Sequence, residues 1–270
     1  MKISVIQLNS QTNKQKNINE ALSIASEAIK ADAPDLIALP EMLSFCGGTE
    51  DEKKESAESI PLGVTTQALS KFAKDNKIYL HGGSYFESAG DKIYNTSLAF
   101  DKNGEIIAKY RKIHLFDITT PNGNDYRESD TVLPGSEIVS YKALNLSIGC
   151  SICYDLRFAE LYLELAKQQV DIIMVPAAFT LQTGKDHWST LLRARAIETQ
   201  SYVVAPGQCG EFPDGDKGMR QTWGHSMIID PWGNIVAQAS DGPGWASAKI
   251  DEKYLKNIRS NVPVASHRVL

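Results

Sequence analysis

A chain of 270 residues, 42% apolar and 23% charged, with a formal net charge of −5, is long enough to bury a core without disulfides or a structural metal. Its mild acidity and scattered basic residues exclude a nucleic-acid footprint. No apolar run approaches the ~18 residues of a membrane span, and the alternating residues 1–8 carry no secretory h-region, so the expected address is the cytosol.

In chain order, Ile3 and Val5, with Gln7, share one face of a first strand, and Ile18, Ala21, Leu22, Ala25, Ala28 and Ile29 recur at helical spacing. Residues 36–39 read as a buried strand that Pro40 stops, leaving Glu41 just past its end. A second helix is expected after Pro61 with Leu69 and Phe72 inward, then strands over residues 78–86 and 94–100. Asp101-Lys102-Asn103-Gly104 supplies a hairpin turn, after which residues 105–113 return as a strand ending at Lys112. Residues 123–135, rich in Asn, Asp and Ser, are expected to form a long functional loop.

The second half alternates again: a strand over 144–153, a helix over 157–168, a strand over 172–175, a helix over 188–200 and a strand over 201–205. A hairpin over 224–239 turns at Pro231-Trp232-Gly233-Asn234, and a short helix over 251–260 precedes an extended tail. No repeat, low-complexity segment or linker divides the chain, so a single domain over residues 1–270 is expected. Helical crossovers mixed with hairpins imply mixed sheets with helices packed outside.

Cys153 stands where an apolar strand meets a helix. There a side chain projects from the sheet's end, and free backbone N–H groups can stabilise a thiolate or a nearby oxyanion. The competing readings are a buried structural cysteine, which suits Cys46 and Cys150, and a zinc or redox C-x-x-C formed by Cys150 and Cys153. The second is disfavoured because residues three apart in a strand face opposite ways and no further ligand pair completes a tetrahedron. With Cys209, the four cysteines do not form an extracellular disulfide framework and are expected to be reduced.

None of His81, His114, His187, His225 and His267 is an obvious base for a thiol, which leaves Glu41 as the proton acceptor and Lys112 as an ammonium for developing negative charge. On spacing alone both are more often solvated surface residues. Arg157, four residues after Cys153, can offer a bidentate clamp to a carboxylate, or an internal salt bridge. His187 and Trp188 are candidate pocket walls, though Trp188 equally suits the core.

Taken together, Glu41 after its strand, Arg111-Lys112-Ile113-His114-Leu115-Phe116 and Cys153-Tyr154-Asp155-Leu156-Arg157-Phe158 resemble the nitrilase superfamily of carbon-nitrogen hydrolases. So do Arg193-Ala194-Arg195-Ala196-Ile197-Glu198, Gly224-His225-Ser226-Met227 and Asp230-Pro231-Trp232-Gly233. The resemblance implies an α/β fold, a four-layer α-β-β-α sandwich with two mixed sheets, and a homodimer formed through the helices near Arg157 and Trp188, with larger assemblies also open. It also implies catalytic roles for Glu41, Lys112, Cys153 and Glu128, with the last positioning Lys112, and an oxyanion contact from the Tyr154 N–H.

Within the superfamily, residues 112–118 and 153–160 are similar to omega-amidases. Residues 193–200 with Gln208-Cys209-Gly210 are similar to deaminated-glutathione amidases, while Asp186 and Pro206-Gly207 depart from both. The implied activity is hydrolysis of a small carboxylate-bearing amide to a carboxylate and ammonia through a cysteine thioester; with no phosphate-cradling Gly-rich loop, metal-ligand cluster or cofactor lysine in the sequence, it is expected to need no cofactor. Nitrilase and N-carbamoyl amino-acid hydrolase chemistry remain the enzymatic alternatives, and a binding protein on the same fold the non-enzymatic one.

Overall fold

The computed structural model describes residues 1–119, 123 and 125–269. Its first sheet contains β1 (Lys2–Gln7), β2 (Leu36–Ala38), β3 (Tyr79–His81), β4 (Tyr85–Ala89), β5 (Lys92–Phe100) and β6 (Ile106–Arg111). A two-stranded ribbon, β7 (Asp117–Thr119) with β8 (Asp125–Arg127), follows. The second sheet contains β9 (Ser140–Ala143), β10 (Leu146–Cys150), β11 (Ile172–Met174) and β12 (Tyr202–Ala205). After a separate hairpin, β13 (Cys209–Pro213) and β14 (Met219–Trp223), the second sheet gains β15 (Met227–Ile229) and β16 (Ile235–Gln238), and β17 (Gly244–Lys249) returns to pair with β1. Each sheet has a parallel centre, β1-β2-β3 and β10-β11-β12, flanked by antiparallel strands, so both are mixed as expected.

Seven α-helices accompany these strands among the described residues: α1 (Lys14–Asp32), α2 (Glu50–Ser56), α3 (Val64–Asn76), α4 (Ala159–Lys167), α5 (Leu181–Thr199), α6 (Glu252–Asn261) and α7 (Val264–His267). Asn13 caps α1 by accepting from Lys16 N, and Ala33 closes it in a left-handed conformation. The buried stripe Ala21, Ala25 and Ala28 then packs with Leu69 and Phe72 of α3 on Ile6, Ile37 and Leu80 of the first sheet. Alternate residues of the same strands, Ile3, Val5, Leu36 and Ala38, turn inward to meet Ile148 and its neighbours in the second sheet. Outside the second sheet lie α4 and α5. A methyl added at Gly149 would stand 2.9 Å from Leu165, so α4 rests directly on the strand backbone. These layers make the α-β-β-α sandwich, and each fully buried aliphatic side chain contributes roughly 1.5–3 kcal/mol to it.

Several elements differ from the sequence expectations. The run 78–86 divides into β3 and β4 because Gly83 turns at φ +62°, where an added Cβ would sit 2.0 Å from the Pro40 carbonyl oxygen. That break lets Ser84 N donate to Pro40 O at 3.2 Å and Ser84 O accept from Leu43 N at 2.9 Å, which braces the segment carrying Glu41. The strand placed over 144–153 is β10, shorter at both ends; it forms a hairpin with β9, with Leu144 in the turn at φ +52°.

Residues 153–157 form a 3-10 helix, so α4 starts at Ala159, and α5 starts at Leu181 rather than near residue 188. The stretch 123–135 contains β8 and a 3-10 turn over Glu128–Asp130, not a continuous loop; position 124 of that stretch lies outside the described residues. The tail after α6 includes the short helix α7. No helix among the described residues is long and apolar enough to cross a membrane.

Candidate active site

Glu41, Lys112 and Cys153 end or follow strands of different sheets, β2 and β6 in the first and β10 in the second, and the folded chain brings them to one cavity of about 660 Å³. Glu41 is 1% exposed. Its Oε1 accepts from Lys112 Nζ at 3.1 Å and from Asn95 Nδ2 at 2.9 Å, and its Oε2 accepts from Ala178 N at 2.8 Å. Gln208 Nε2 donates to the Glu41 carbonyl at 2.9 Å. With three donors on the carboxylate and one on the backbone, the side chain has a single arrangement.

Lys112 is 2% exposed, so a solvated surface lysine is excluded. Its ammonium donates to Glu41 and to both oxygens of Glu128, at 3.1 and 2.8 Å. Backbone pairing locks its position: Lys112 N donates to Asn95 O at 2.9 Å, and Gly135 N donates to Lys112 O at 2.7 Å. Burial alone would push the ammonium toward neutrality, but Glu128 and Glu41 outweigh it and hold the Lys112 pKa well above its ordinary value. Glu128 is itself held by Phe116 N at 2.6 Å, so residues 116 and 128 tie the ribbon to the lysine.

Cys153 opens the 3-10 helix at φ +46°, a conformation that costs a non-glycine residue and turns its side chain away from the strand path. Its N–H donates to Pro176 O at 2.9 Å. Burial raises the Cys153 thiol well above its ordinary pKa, the Glu41 charge adds to this, and Lys112 opposes it. The resting sulfur is therefore a thiol facing a carboxylate.

Behind the nucleophile position, the fully buried Asp155 ties the two sheets together. Its Oδ2 accepts from Tyr110 Oη at 2.6 Å and Ile152 N at 2.9 Å, and its Oδ1 accepts from His114 N at 2.9 Å and contacts His114 Nδ1 at 2.7 Å. The Cys153 turn is thus bolted to the strand that carries Lys112.

Tyr154 and Arg157 line the same cavity. The Arg157 guanidinium lies 5.9 Å from the Tyr154 ring and 5.5 Å from the Phe179 ring, with no carboxylate partner among the described residues. The internal salt bridge considered for it is absent from that set. His187 is exposed and outside the cavity lining, touching Arg157 Nη1 through Nδ1 at 3.3 Å. Trp188 is core, 1% exposed, with Nε1 donating to His225 O.

Sequence reasoning missed Asn95, the Ala178 N–H and the role of Asp155. Asn95 sits mid-strand in β5 and Ala178 in a connection, and neither residue type signals a site from its neighbours. Cys46, Cys150 and Cys209 are buried free thiols.

The carbon-nitrogen hydrolase family model matches residues 2–260. A deaminated glutathione amidase of Synechocystis sp. is 43% identical, over 98% of this chain and 97% of that protein. An omega-amidase NIT2 of Xenopus tropicalis is 38% identical, over 99% of this chain and 94% of that protein. The crystal structure of the C. elegans NitFhit protein superposes with a TM-score of 0.91 at 36% identity; it covers 99% of this chain, which spans 65% of that one. With its four layers and near full-length relatives, the chain belongs to the carbon-nitrogen hydrolase family. Within that family it is an amidase, acting on carbon–nitrogen bonds other than peptide bonds.

Proposed function

We propose that this amidase hydrolyses a small carboxylate-bearing amide, an omega-amide of a dicarboxylic acid or deaminated glutathione, through a thioester on Cys153. The observation that carries the reading is the Lys112 ammonium held 3.1 Å from Glu41 and 2.8 Å from Glu128 beside a neutral thiol. Cys153 attacks the amide carbon while Glu41 takes its proton, so charge is never left uncompensated on the buried sulfur. Lys112 and the Tyr154 N–H stabilise the oxyanion, and Arg157 takes the substrate carboxylate. Glu41 returns the proton to the departing nitrogen, releasing ammonia or an amine, and then activates the water that cleaves the thioester. Glu128 positions Lys112 throughout.

Ammonia and amine release from 2-oxoglutaramate, glutaramate, deaminated glutathione, an N-carbamoyl amino acid and an aliphatic nitrile tests this directly. Turnover of one or both amide types, with kcat reduced at least about 10³-fold in Cys153→Ala, is expected. Turnover confined to the nitrile or the carbamoyl compound, or unimpaired in the variant, would sink the proposal.

The same reading treats residues 1–270 as one domain in the cytosol, working without a cofactor as a homodimer through α4 and α5. Exposed Ile197 on α5, which packs against Gly233, and exposed Trp232, the residue before that glycine, support that contact face. A monomeric mass by light scattering would contradict the dimer.

A further inference from the structure

Asn95 lies in β5, 1% exposed, where its backbone carbonyl accepts from Lys112 N at 2.9 Å and its side-chain Nδ2 donates to Glu41 Oε1 at 2.9 Å. The amide can face the carboxylate only this way, because turning it over would set two acceptors against each other. Its Oδ1 is consequently buried with no donor among the described residues. A side chain kept for packing alone would not carry an unmet acceptor into the core, where an apolar group of similar size avoids that loss. What accounts for an amide at this position is the contact its Nδ2 makes with Glu41.

Each oxygen of a carboxylate offers two in-plane lone pairs. On Glu41 Oε1 both are taken, one by Lys112 Nζ at 3.1 Å and one by Asn95 Nδ2. Oε2 accepts from the Ala178 N–H at 2.8 Å and has its second lone pair free for the thiol. Burial first, then the Glu41 charge, raises the Cys153 thiol; a hydrogen bond to Glu41 adds to the rise, and one from the Ala178 N–H opposes it. The Ala178 N–H thus reaches Oε2 and the sulfur together, which puts Oε2 on the sulfur's side of the carboxylate.

We infer that Asn95 is a positioning residue for the general base: by filling the last lone pair of Glu41 Oε1, it reserves Oε2 as the oxygen that takes the Cys153 proton. The inference rests on the roles proposed above for Glu41 and Cys153. As the sulfur bonds to the amide carbon, the carbonyl π pair moves onto its oxygen and the thiol proton moves to Oε2. When the carbon–nitrogen bond breaks, its electron pair stays with the nitrogen, which collects the same proton from Oε2. Without the Asn95 donor, Oε1 gains an open lone pair on the side away from the sulfur. A proton held there serves neither step.

The test is a double-mutant cycle of Asn95→Leu with Glu41→Gln, read as ammonia or amine release from 2-oxoglutaramate and from deaminated glutathione. Asn95→Ser, whose hydroxyl is too short to reach Oε1, is run beside it in case the core does not accept leucine. With Glu41 in place, kcat should fall roughly 10–100-fold, the worth of a hydrogen bond to a charged group, while KM changes less than about twofold because Asn95 does not line the cavity. In the Glu41→Gln background the same substitutions should change kcat less than about twofold, since a residue that acts through the base has nothing left to position. An equal loss in both backgrounds, or a loss carried by KM, would overturn the role of Asn95 and leave Glu41 as the base. Full turnover in Glu41→Gln alone, or no turnover of either amide by wild type, would overturn the proposed base and this inference with it.

Discussion

Glu41 acts on Cys153 in two opposing ways, and they can be separated. As a charge, it raises the thiol pKa, second only to burial, while Lys112 lowers it. As a base, it takes the proton that attack requires. Glu41→Gln removes both, so the account predicts a sulfur that ionises more readily in an enzyme that turns over far less. Iodoacetamide alkylation of Cys153 should shift to lower pH as kcat falls by about 10²-fold or more. An alkylation profile that stays put or moves upward would refute the electrostatic assignment. Little of this was legible from the residues alone: an isolated Glu after Pro and a Lys at a strand end are ordinary surface features. Only their joint occurrence with the Cys153 motif raised them above that, and the Asn95 and Ala178 donors left no local signature.

Among the elements, β4, β5 and β6 gather donors around one carboxylate, Glu87, which registers the strand that delivers Lys112. Glu87 accepts from Thr96 Oγ1 at 2.7 Å, Lys109 Nζ at 2.7 Å, and Arg111 Nε and Nη2 at 2.8 Å each. Burial opposes its ionisation, but Arg111, Lys109 and Thr96 prevail and hold its carboxyl down to about 2, from an ordinary value of 4.5. A depressed carboxyl adds stability above its unfolded pKa and loses it as pH falls through the folded one. Glu87→Gln should therefore cost roughly 2–3 kcal/mol at neutral pH and progressively less from about pH 4.5 toward 2. Urea denaturation across that range would show the two proteins converging; a gap independent of pH would rule the assignment out.

The elements with a clear apolar period, α1, α3 and the central strands, were legible in the sequence. Those built otherwise were not. Helix α2 is Glu50-Asp51-Glu52-Lys53-Lys54-Glu55-Ser56, held by the Thr49 capping box and carrying no buried stripe. Strands β13 and β14 pair with each other in a hairpin separate from both main sheets, so no core face imposes a strong alternation on them. Residues 78–86 look like one strand because the contact that breaks them, Gly83 against the Pro40 carbonyl, is long-range.

In the whole molecule, the site exists only because two sheets meet. Glu41 and Lys112 come from the first, Cys153 and the Ala178 N–H from the connections of the second, and Asp155 bridges them through Tyr110 and His114. Mixed sheets with helices outside followed from the alternation of strand and helix periods, and the four-layer arrangement from the family resemblance. The way the strand ends converge did not, because pairing order and inter-sheet packing are tertiary facts that no local pattern encodes. That convergence places an ammonium and a carboxylate beside a neutral thiol, and covalent catalysis at Cys153 is the claim on which the account stands. Partitioning with hydroxylamine tests it most directly. The account predicts that an acyl hydroxamate forms from the amide in proportion to added hydroxylamine, at the expense of the free acid, and that Cys153→Ala forms neither. Acid as the sole product at every hydroxylamine concentration, with comparable turnover in Cys153→Ala, would contradict it.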